Sequence, residues 1–442
     1  MTERDQLHRV LGLGDVVLLG ISSVIGSGIF LLPGIAAESM GPAALVPLGV
    51  AGGLCVLIAL CFAEVSSRFD RTGGAYLFAS EAFGGFAGFS VGWMAWWVRV
   101  IAWAALANGF ALALLPLVGD APPWFDEAVA AGLVVVLGAL NLYGARESAA
   151  VMRVLNVLKL APLTLFVAIG ILHVEGGGFE PFAPHGYGSL ADTTMLLLWA
   201  FVGFESIPIP AGEIRDPGRT VPVAILVVMA VVTVVYALVF VVAVGTYEGL
   251  AGSENPVAES ASAFMGPVGA TLVAAGIAIS IFGTKAVQAL VTPRCAYALA
   301  ERRQAPAALG WVHANRRTPT IAILLTTGIT LGLTLSGTFA ELAVISVVGR
   351  FFEYVATCVA VPVFRARERI SDGPGPASAV GPARFRLPLG PLVPVLATVL
   401  CLVLLVQTDP DRLIAGGVAF ALGIPFYLAW GRRSAGAPTA RS

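Results

Sequence analysis

Charged residues are scarce in this sequence, which carries 12% of them where an average soluble protein has about a quarter. Histidine and cysteine are also few, with four and five residues, and neither type shows the spacing of a metal site or of a nucleophile with its base. Hydrophobic residues make up 57% of the chain instead. These proportions indicate an integral membrane protein and give no support to an enzyme, a metal site or a bound cofactor.

Long apolar stretches take the place of the missing charges. About 20 apolar residues in a helix cross a hydrocarbon core about 30 Å thick. The sequence therefore predicts an all-α polytopic membrane protein. Its twelve predicted spans cover residues 13–37, 43–66, 84–113, 128–144, 153–174, 191–212, 220–245, 267–298, 319–336, 339–364, 387–407 and 412–431.

Arginine is distributed unevenly between the predicted loops. If the N-terminus is cytoplasmic, the outer loops hold only Arg412 and the other loop arginines lie on the inner side. This asymmetry follows the positive-inside rule. It predicts a multi-pass protein of the cell membrane with both termini in the cytoplasm. A stretch rich in glycine, proline and alanine at 371–383 predicts a flexible inner linker before the last two spans.

Two of the predicted spans are interrupted by glycines. Span 1 contains VIGSGIF at 24–30, and span 6 contains WAFVGFES at 199–206. Unwound backbone leaves N–H and C=O groups unpaired, which a membrane protein tolerates only where they line a cavity or bind a ligand. A single Gly-x-Gly is explained as well by close helix packing. Two interrupted spans five apart favour a shared site between two inverted repeats.

Four segments resemble, in order and spacing, the signatures of amino acid permeases of the amino acid-polyamine-organocation superfamily. They are GISSVIGSGIFLLPG, RTGGAYLFASEAFGGFAGFSVGW, WAFVGFESIPIPAGEIRDPGRTVPVAI and RCAYALAERRQAP followed by TPTIAI. The resemblance covers about residues 10 to 430 and implies a LeuT-type fold with discontinuous helices 1 and 6. The implied parts are a cytoplasmic N-terminus at 1–12, a first repeat at 13–174, a second repeat at 191–364, a cytoplasmic linker at 365–386, peripheral spans at 387–431 and a cytoplasmic tail at 432–442.

An α-amino acid presents a carboxylate and an ammonium group on one carbon, and broken helices can bind both. Freed N–H groups at the start of a half-helix suit the carboxylate, because the helix dipole is positive there. Freed carbonyls before a break suit the ammonium. We expect the substrate to be bound by Val24, Ile25, Gly26, Ser27, Gly28, Ala95, Trp96, Trp199, Phe201, Val202 and Gly203.

Three of these positions rest on the resemblance for their role. It places Ala95 and Trp96 near the substrate side chain, as in L-type amino acid transporters. It gives Trp199 the position of an aromatic residue that closes over the substrate in the arginine/agmatine antiporter. The alternative for Trp199 is an ordinary tryptophan of an apolar span.

Lys159 and Glu205 are the candidates for ion coupling. In sodium-independent relatives, which the segment around Lys159 resembles, a lysine ammonium takes the place of a sodium ion. A buried lysine can also carry a proton. Alternatively, Lys159 snorkels to the inner surface. Glu205 matches a glutamate in the G-x-E-S stretch of the arginine antiporter, which makes proton coupling a second role to test.

Four further charged residues lie near the middle of predicted spans, where charge is costly and marks a functional hypothesis. Arg99 either reads an acidic substrate side chain or pairs with a buried carboxylate such as Glu205. Arg350 and Glu353 are three residues apart on one helix and are expected to neutralise each other. Lys285 departs from the family pattern, and its role is open.

The sequence thus predicts a secondary active transporter that moves an L-amino acid by alternating access. We expect it to be sodium-independent and to take up its substrate with protons, and a largely apolar cavity favours a neutral or aliphatic side chain. Amino acid exchange or export is the alternative mechanism. A nontransporting sensor that keeps the fold is the alternative of another class. The expected partners are the amino acid, the lipid bilayer and a proton.

Overall fold

The computed structural model describes residues 9, 11–71, 73–118, 121–143, 149–313, 316, 318–371 and 380–430. The predicted cytoplasmic tail at 432–442, most of the N-terminal segment 1–12 and part of the linker lie outside these residues, as do the side chains of Lys159 and Lys285. The described α-helices are α1 Leu13–Val24, α2 Gly28–Met40, α3 Leu45–Ser66, α4 Gly74–Phe83, α5 Gly85–Val118, α6 Phe125–Tyr143, α7 Ala149–Gly170, α8 Leu190–Phe201, α9 Pro217–Thr246, α10 Pro256–Glu301, α11 Thr320–Ser336, α12 Phe339–Ser371, α13 Leu392–Gln407 and α14 Pro410–Ala429. Short 3-10 turns cover Gly41–Ala44, Ile171–His173, Gly176–Phe179, Phe204–Ser206, Ala211–Glu213, Glu248–Leu250 and Ala307–Gly310.

Several of these helices are long and apolar enough to span a membrane. In the described residues there are seven such helical stretches, at Leu13–Ser66, Gly85–Leu115, Phe125–Leu142, Pro217–Thr246, Pro256–Thr284, Phe339–Arg369 and Pro410–Ala429. Shorter apolar helices lie at Leu160–His173, Leu190–Phe201, Thr320–Ser336 and Leu392–Gln407, within or overlapping predicted spans 5, 6, 9 and 11. The protein is therefore a multi-pass helical membrane protein, while the exact count of twelve spans stays a prediction.

Both predicted interruptions are present in the backbone. After α1, Ile25 is extended, with φ −72° and ψ 94°, before α2 starts at Gly28. After α8, Val202 is extended and Gly203 has φ +132°, a conformation that favours glycine. The rest of predicted span 6 continues as short turns rather than as a second α-helix.

Two features of the helices differ from the sequence prediction or refine it. The short helix α4 lies between predicted spans 2 and 3, in a segment that was expected to be a loop. Helix α10 contains a non-helical residue, Gly266, with φ +68°, so that its two parts meet directly before predicted span 8.

The broken helices lie in the centre of the packing. Helix α3 packs against α8 and α9, α1 packs against α9, and α2 packs against α8. The long helix α5 packs against α10 and α12. The main hydrophobic core includes Val24, Ile29, Phe201 and Phe204 at 3% exposure or less, so the residues around both breaks are shielded by their neighbours.

A buried ionic cluster joins three parts of the chain at the predicted cytoplasmic end. Glu64, near the end of α3, accepts hydrogen bonds from Arg365 of α12 through Nε at 2.7 Å and Nη2 at 2.5 Å. It also accepts from the backbone N–H of Leu387, in the chain that leads to α13, at 3.0 Å. The Arg68 guanidinium lies 3.6 Å from the same carboxylate. Since the Glu64 side chain is fully buried, these partners are the ones that compensate its charge.

Replacing Glu64 by alanine should destabilise the protein strongly, because Arg365 loses its carboxylate and the Leu387 N–H loses its acceptor, whereas Arg68 keeps Glu368 at 3.0 Å. Breaking a buried ion pair by removing one partner costs about 3–5 kcal/mol. Thermal unfolding of the detergent-purified protein measures the effect. The matched control is Glu81→Ala, since Glu81 pairs with Arg71 at 2.9 Å near the surface, where such a pair contributes about 0–1 kcal/mol. Equal losses in the two variants would contradict this account.

Candidate functional site

The two helix breaks touch each other. A Cβ atom added to Gly203 would lie 2.3 Å from the backbone oxygen of Ser23, which is closer than any side chain can come. A Cβ atom added to Gly28 would lie 2.8 Å from Cα of Ala200 and 3.0 Å from Cδ1 of Trp199. Glycine at both positions therefore lets two interrupted helices meet backbone to backbone. The interruptions form one site rather than two.

Carbonyl groups at the ends of the two half-helices share one hydroxyl group. The Tyr236 hydroxyl of α9 lies 2.8 Å from the carbonyl oxygen of Ala200 and 3.2 Å from that of Val24. A hydroxyl has a single proton, so it donates to one of these carbonyls at a time and leaves the other as an acceptor. Acceptors of this kind suit an ammonium group.

Hydrogen-bond donors lie on the other side of the first break, at the start of α2. The first N–H groups of α2 have no acceptor inside the helix. Ser27 is fully buried, and its Oγ has no hydrogen-bond partner among the described residues. A Cβ atom on Gly26 would meet only the Val24 oxygen, at 4.0 Å, so there is open space beside it. This end of α2 therefore offers unused donors to an anion such as a carboxylate.

Aromatic side chains enclose the site. Trp199 is 6% exposed, lies against Gly28, and makes an edge contact with Phe339 of α12 at 6.4 Å between ring centroids. Ile25 is buried beside the first break. The Phe201 ring points the other way, toward Tyr236, at 5.1 Å. The candidate residues that meet at the breaks are Val24, Ile25, Gly26, Ser27, Gly28, Trp199, Phe201, Val202 and Gly203.

Trp96 and Ala95 occupy a different place. The Trp96 indole donates to Oγ1 of Thr326 on α11 at 3.3 Å, and its ring packs with Trp93 and Trp97. Its hydrophobic cluster is separate from the one that contains Trp199. The structure therefore does not bring Trp96 to the breaks in this conformation, and a role in substrate binding for it or for Ala95 stays a prediction.

Glu205 binds the backbone at the second break and links it to α12. Its carboxylate forms an ion pair with Arg350 of α12 and accepts the N–H of Gly203 at 2.9 Å. The Tyr354 hydroxyl lies 3.4 Å from the same carboxylate. Glu205 and Arg350 are 2% and 4% exposed. The carboxylate thus binds a backbone donor that the break would otherwise leave unpaired.

This pairing differs from both pairings that the sequence suggested. For Arg99 one of the two alternatives was pairing with a buried carboxylate such as Glu205, but its Nη1 donates to the carbonyl oxygen of Ala95, one turn away, at 3.0 Å. Arg350 was expected to neutralise Glu353 on its own helix, but it pairs with Glu205 instead. The cause is tertiary packing. Helix α8 packs against α12, which brings Glu205, in the turn after α8, to Arg350.

The sequence analysis also missed Tyr236. It is the one tyrosine in the apolar segment of α9, and a buried hydroxyl needs a hydrogen-bond partner. That isolation within an apolar span was the available signal. Lys159 and Lys285 are neither placed near the site nor excluded from it, since their side chains lie outside the described part of the chain.

The segment before the first broken helix pairs with the segment after the second. Leu11 donates its N–H to the Glu213 carbonyl at 3.1 Å and accepts from the Arg215 N–H at 2.9 Å, which forms a parallel β-bridge. In the same segment Asp216 forms an ion pair with Arg384 at 2.7 Å. The two interrupted regions are therefore joined at this end as well as at the breaks.

Comparison with known families matches residues 11–420 to the model described as amino acid permease. The chain belongs to the amino acid permease family. The match covers α1 to α13 and most of α14, so it includes both breaks. Members of this family are membrane transporters and not enzymes.

Three relatives from Bacillus subtilis are each 27% identical to the permease. They are the branched-chain amino acid permease BcaP, a methylthioribose transporter and the serine/threonine exchanger SteT. They cover 97%, 97% and 98% of this chain, which in turn covers 94%, 94% and 99% of them. Since their named substrates differ at equal identity, overall similarity does not select a substrate for the permease.

The two glycines of the first break should respond differently to substitution. Gly28→Ala should lower the free energy of unfolding by about 1–3 kcal/mol. The new methyl group would overlap the Ala200 backbone, which cannot move aside as a flexible side chain could. Gly26→Ala should leave stability within about 0.5 kcal/mol of the wild type, because its methyl group enters open space. Thermal unfolding of both purified variants tests this. A Gly28→Ala protein as stable as Gly26→Ala would contradict the observed contact.

Proposed function

We propose that the permease takes up an L-amino acid across the cell membrane by alternating access, as a secondary active transporter driven by a proton gradient and independent of sodium. The contact between the two breaks carries this proposal. It sets the unused donors of α2 and Ser27 opposite carbonyl acceptors at the ends of α1 and α8. That arrangement is complementary to a carboxylate and an ammonium group on one carbon.

The surroundings favour a neutral, aliphatic substrate side chain. Trp199, Phe339 and Ile25 are apolar and buried at the site. The nearby ionic groups Glu205 and Arg350 neutralise each other and so offer no free charge to a charged side chain. A relative named a branched-chain amino acid permease is in line with this choice.

We propose the LeuT-type arrangement for the helices, with spans 1–5 and 6–10 as inverted repeats. Support comes from the position of the breaks in the first span of each set of five. Discontinuous helices at matching places of two repeats are typical of transporters with a midplane site. Both termini then lie in the cytoplasm, as the arginine distribution indicates.

The proposed energy source rests on the resemblance around Lys159. In the sodium-independent relatives that this segment resembles, a lysine ammonium takes the place of a sodium ion, and the remaining drive is a proton gradient or a second amino acid. A relative named a serine/threonine exchanger favours exchange as the second candidate. Uptake into liposomes with and without an internal amino acid separates the two mechanisms.

The deciding experiment uses purified permease in liposomes and a panel of radiolabelled neutral L-amino acids. Acid outside should drive accumulation of at least one of them above the level in empty liposomes, and replacing sodium by choline should not change it. Accumulation that needs an internal amino acid identifies an exchanger. No uptake under any condition would refute transport of these substrates, and a sodium requirement would refute the proposed role of Lys159.

Ser27→Ala tests the binding site itself. Removal of a hydroxyl that binds a charged group should weaken substrate binding by about 1.5–3 kcal/mol, which is about a 10- to 150-fold higher half-saturation concentration. Stability should not fall, since the Ser27 Oγ has no partner in the described residues. Ser39→Ala is the matched control on the same helix, because the Ser39 hydroxyl donates to the Ile35 carbonyl away from the break. An unchanged half-saturation concentration in Ser27→Ala would place the carboxylate elsewhere.

A further inference from the structure

A second buried carboxylate lies one turn from the ion pair at the break. Glu353 is near the middle of α12, is 2% exposed, and its Oε1 has no hydrogen-bond partner among the described residues. An ionised carboxylate in such a place costs several kcal/mol unless it is paired. A neutral carboxyl group costs much less. Glu353 is therefore a buried carboxyl group with an oxygen atom that has no observed hydrogen-bond partner, and a bound proton lowers the cost of burying it.

Titratable groups from four parts of the chain interact electrostatically with Glu353. They are Arg99 on α5, Cys295 on α10, Glu205 in the turn after α8, and Arg350 and Tyr354 on α12 itself. Each arginine has another partner in this conformation. Arg99 donates to the Ala95 carbonyl, and Arg350 pairs with Glu205.

Arg350 is within reach of two carboxylates. It binds Glu205 through Nη1, while its Nε has no partner among the described residues. Glu353 lies three residues further along the same helix, a spacing at which side chains are neighbours on the helix surface. A guanidinium group has five N–H donors. Arg350 can therefore move from the Glu205 carboxylate to the Glu353 carboxylate by a change of side-chain conformation alone.

We propose that Glu353 is the site that binds the transported proton, and that Arg350 couples its occupancy to the position of the second helix break. This inference rests on the proposed proton-driven uptake and assigns the proton to a residue other than Lys159 or Glu205. Arg350 is a positioning residue in this scheme, since it acts through Glu353.

The coupling has two states. In the observed one, Arg350 pairs with Glu205 and the Glu353 Oε1 has no partner among the described residues. The proton is assigned to Glu353 in this state. When the break moves away from α12, Arg350 turns to Glu353, the O–H bond of Glu353 breaks and the proton passes to water on the side then open. Glu205 keeps its Gly203 N–H donor and is solvated through the opened break. One proton crosses with each movement of the break, and Arg350 compensates the negative charge that Glu353 acquires when it releases the proton.

The test compares Glu353→Gln with the wild type in liposomes, with tritiated L-leucine as the probe. An acid-outside gradient of one pH unit should give the wild type up to about tenfold accumulation for one proton per substrate. Glu353→Gln, which mimics the neutral acid permanently, should lower the accumulation ratio to about 1. Leucine counterflow at equal pH should persist, because it needs no proton release.

The matched control is Glu341→Gln, at the exposed start of the same helix, where the carboxylate accepts hydrogen bonds from Thr338. Both activities should survive in that variant. Full proton-driven accumulation in Glu353→Gln would overturn the assignment to Glu353 and leave the proposed function standing. A wild type that accumulates leucine only by exchange would overturn proton-driven uptake and this inference together.

A second measurement does not depend on transport. Leucine added to lightly buffered, detergent-purified protein should change the pH with the wild type and Glu341→Gln but not with Glu353→Gln. An equal change in all three would overturn the proposal. If the glutamine variant cannot be purified, Glu353→Asp takes its place. Its proton-driven uptake should then reach half its maximum at a shifted pH, and an unchanged pH would overturn the proposal.

Discussion

Inside a membrane every backbone N–H and C=O group needs a partner within the protein, and this requirement governs the centre of the molecule. Two helices stop in the middle of their spans, and each leaves polar groups that water cannot reach. The two breaks meet at Gly203 and Gly28, where the backbones come within contact distance. Tyr236 and Glu205 then bind some of the exposed groups. The groups that are left, on both sides of the first break, are those that can bind a substrate.

Buried charges follow the same requirement. Glu64 and Glu205 are each neutralised by an arginine from α12, Arg365 at one end and Arg350 near the break. Helix α12 is therefore joined to the predicted cytoplasmic end and to the second helix break by ion pairs as well as by apolar contacts. Because a partner lost from such a pair leaves an uncompensated charge, movements of α8 against α12 must exchange partners and cannot simply separate them. Glu353 is the neighbouring carboxylate that makes such an exchange possible.

The family and the substrate are determined by different parts of the chain. Membership in the amino acid permease family rests on residues 11–420 as a whole, and the broken helices offer groups suited to the carboxylate and ammonium that amino acids have in common. In the proposed site, the choice among amino acids depends on the few side chains beside the breaks, such as the buried Trp199. Relatives of equal identity are named for branched-chain amino acids, methylthioribose and serine or threonine, so family membership alone does not determine the substrate.

The sequence by itself determined the features that depend on local composition. Apolar length predicted membrane helices, the glycines at 26, 28 and 203 located both breaks, and the ordered motifs indicated the family. Only the tertiary structure decided which buried groups meet. It paired Arg350 with Glu205 instead of Glu353, placed Trp96 against Thr326, and brought Tyr236 to the carbonyls of both breaks. The physical reason is that spacing along one helix fixes neighbours on that helix, whereas pairing between helices depends on how they are packed.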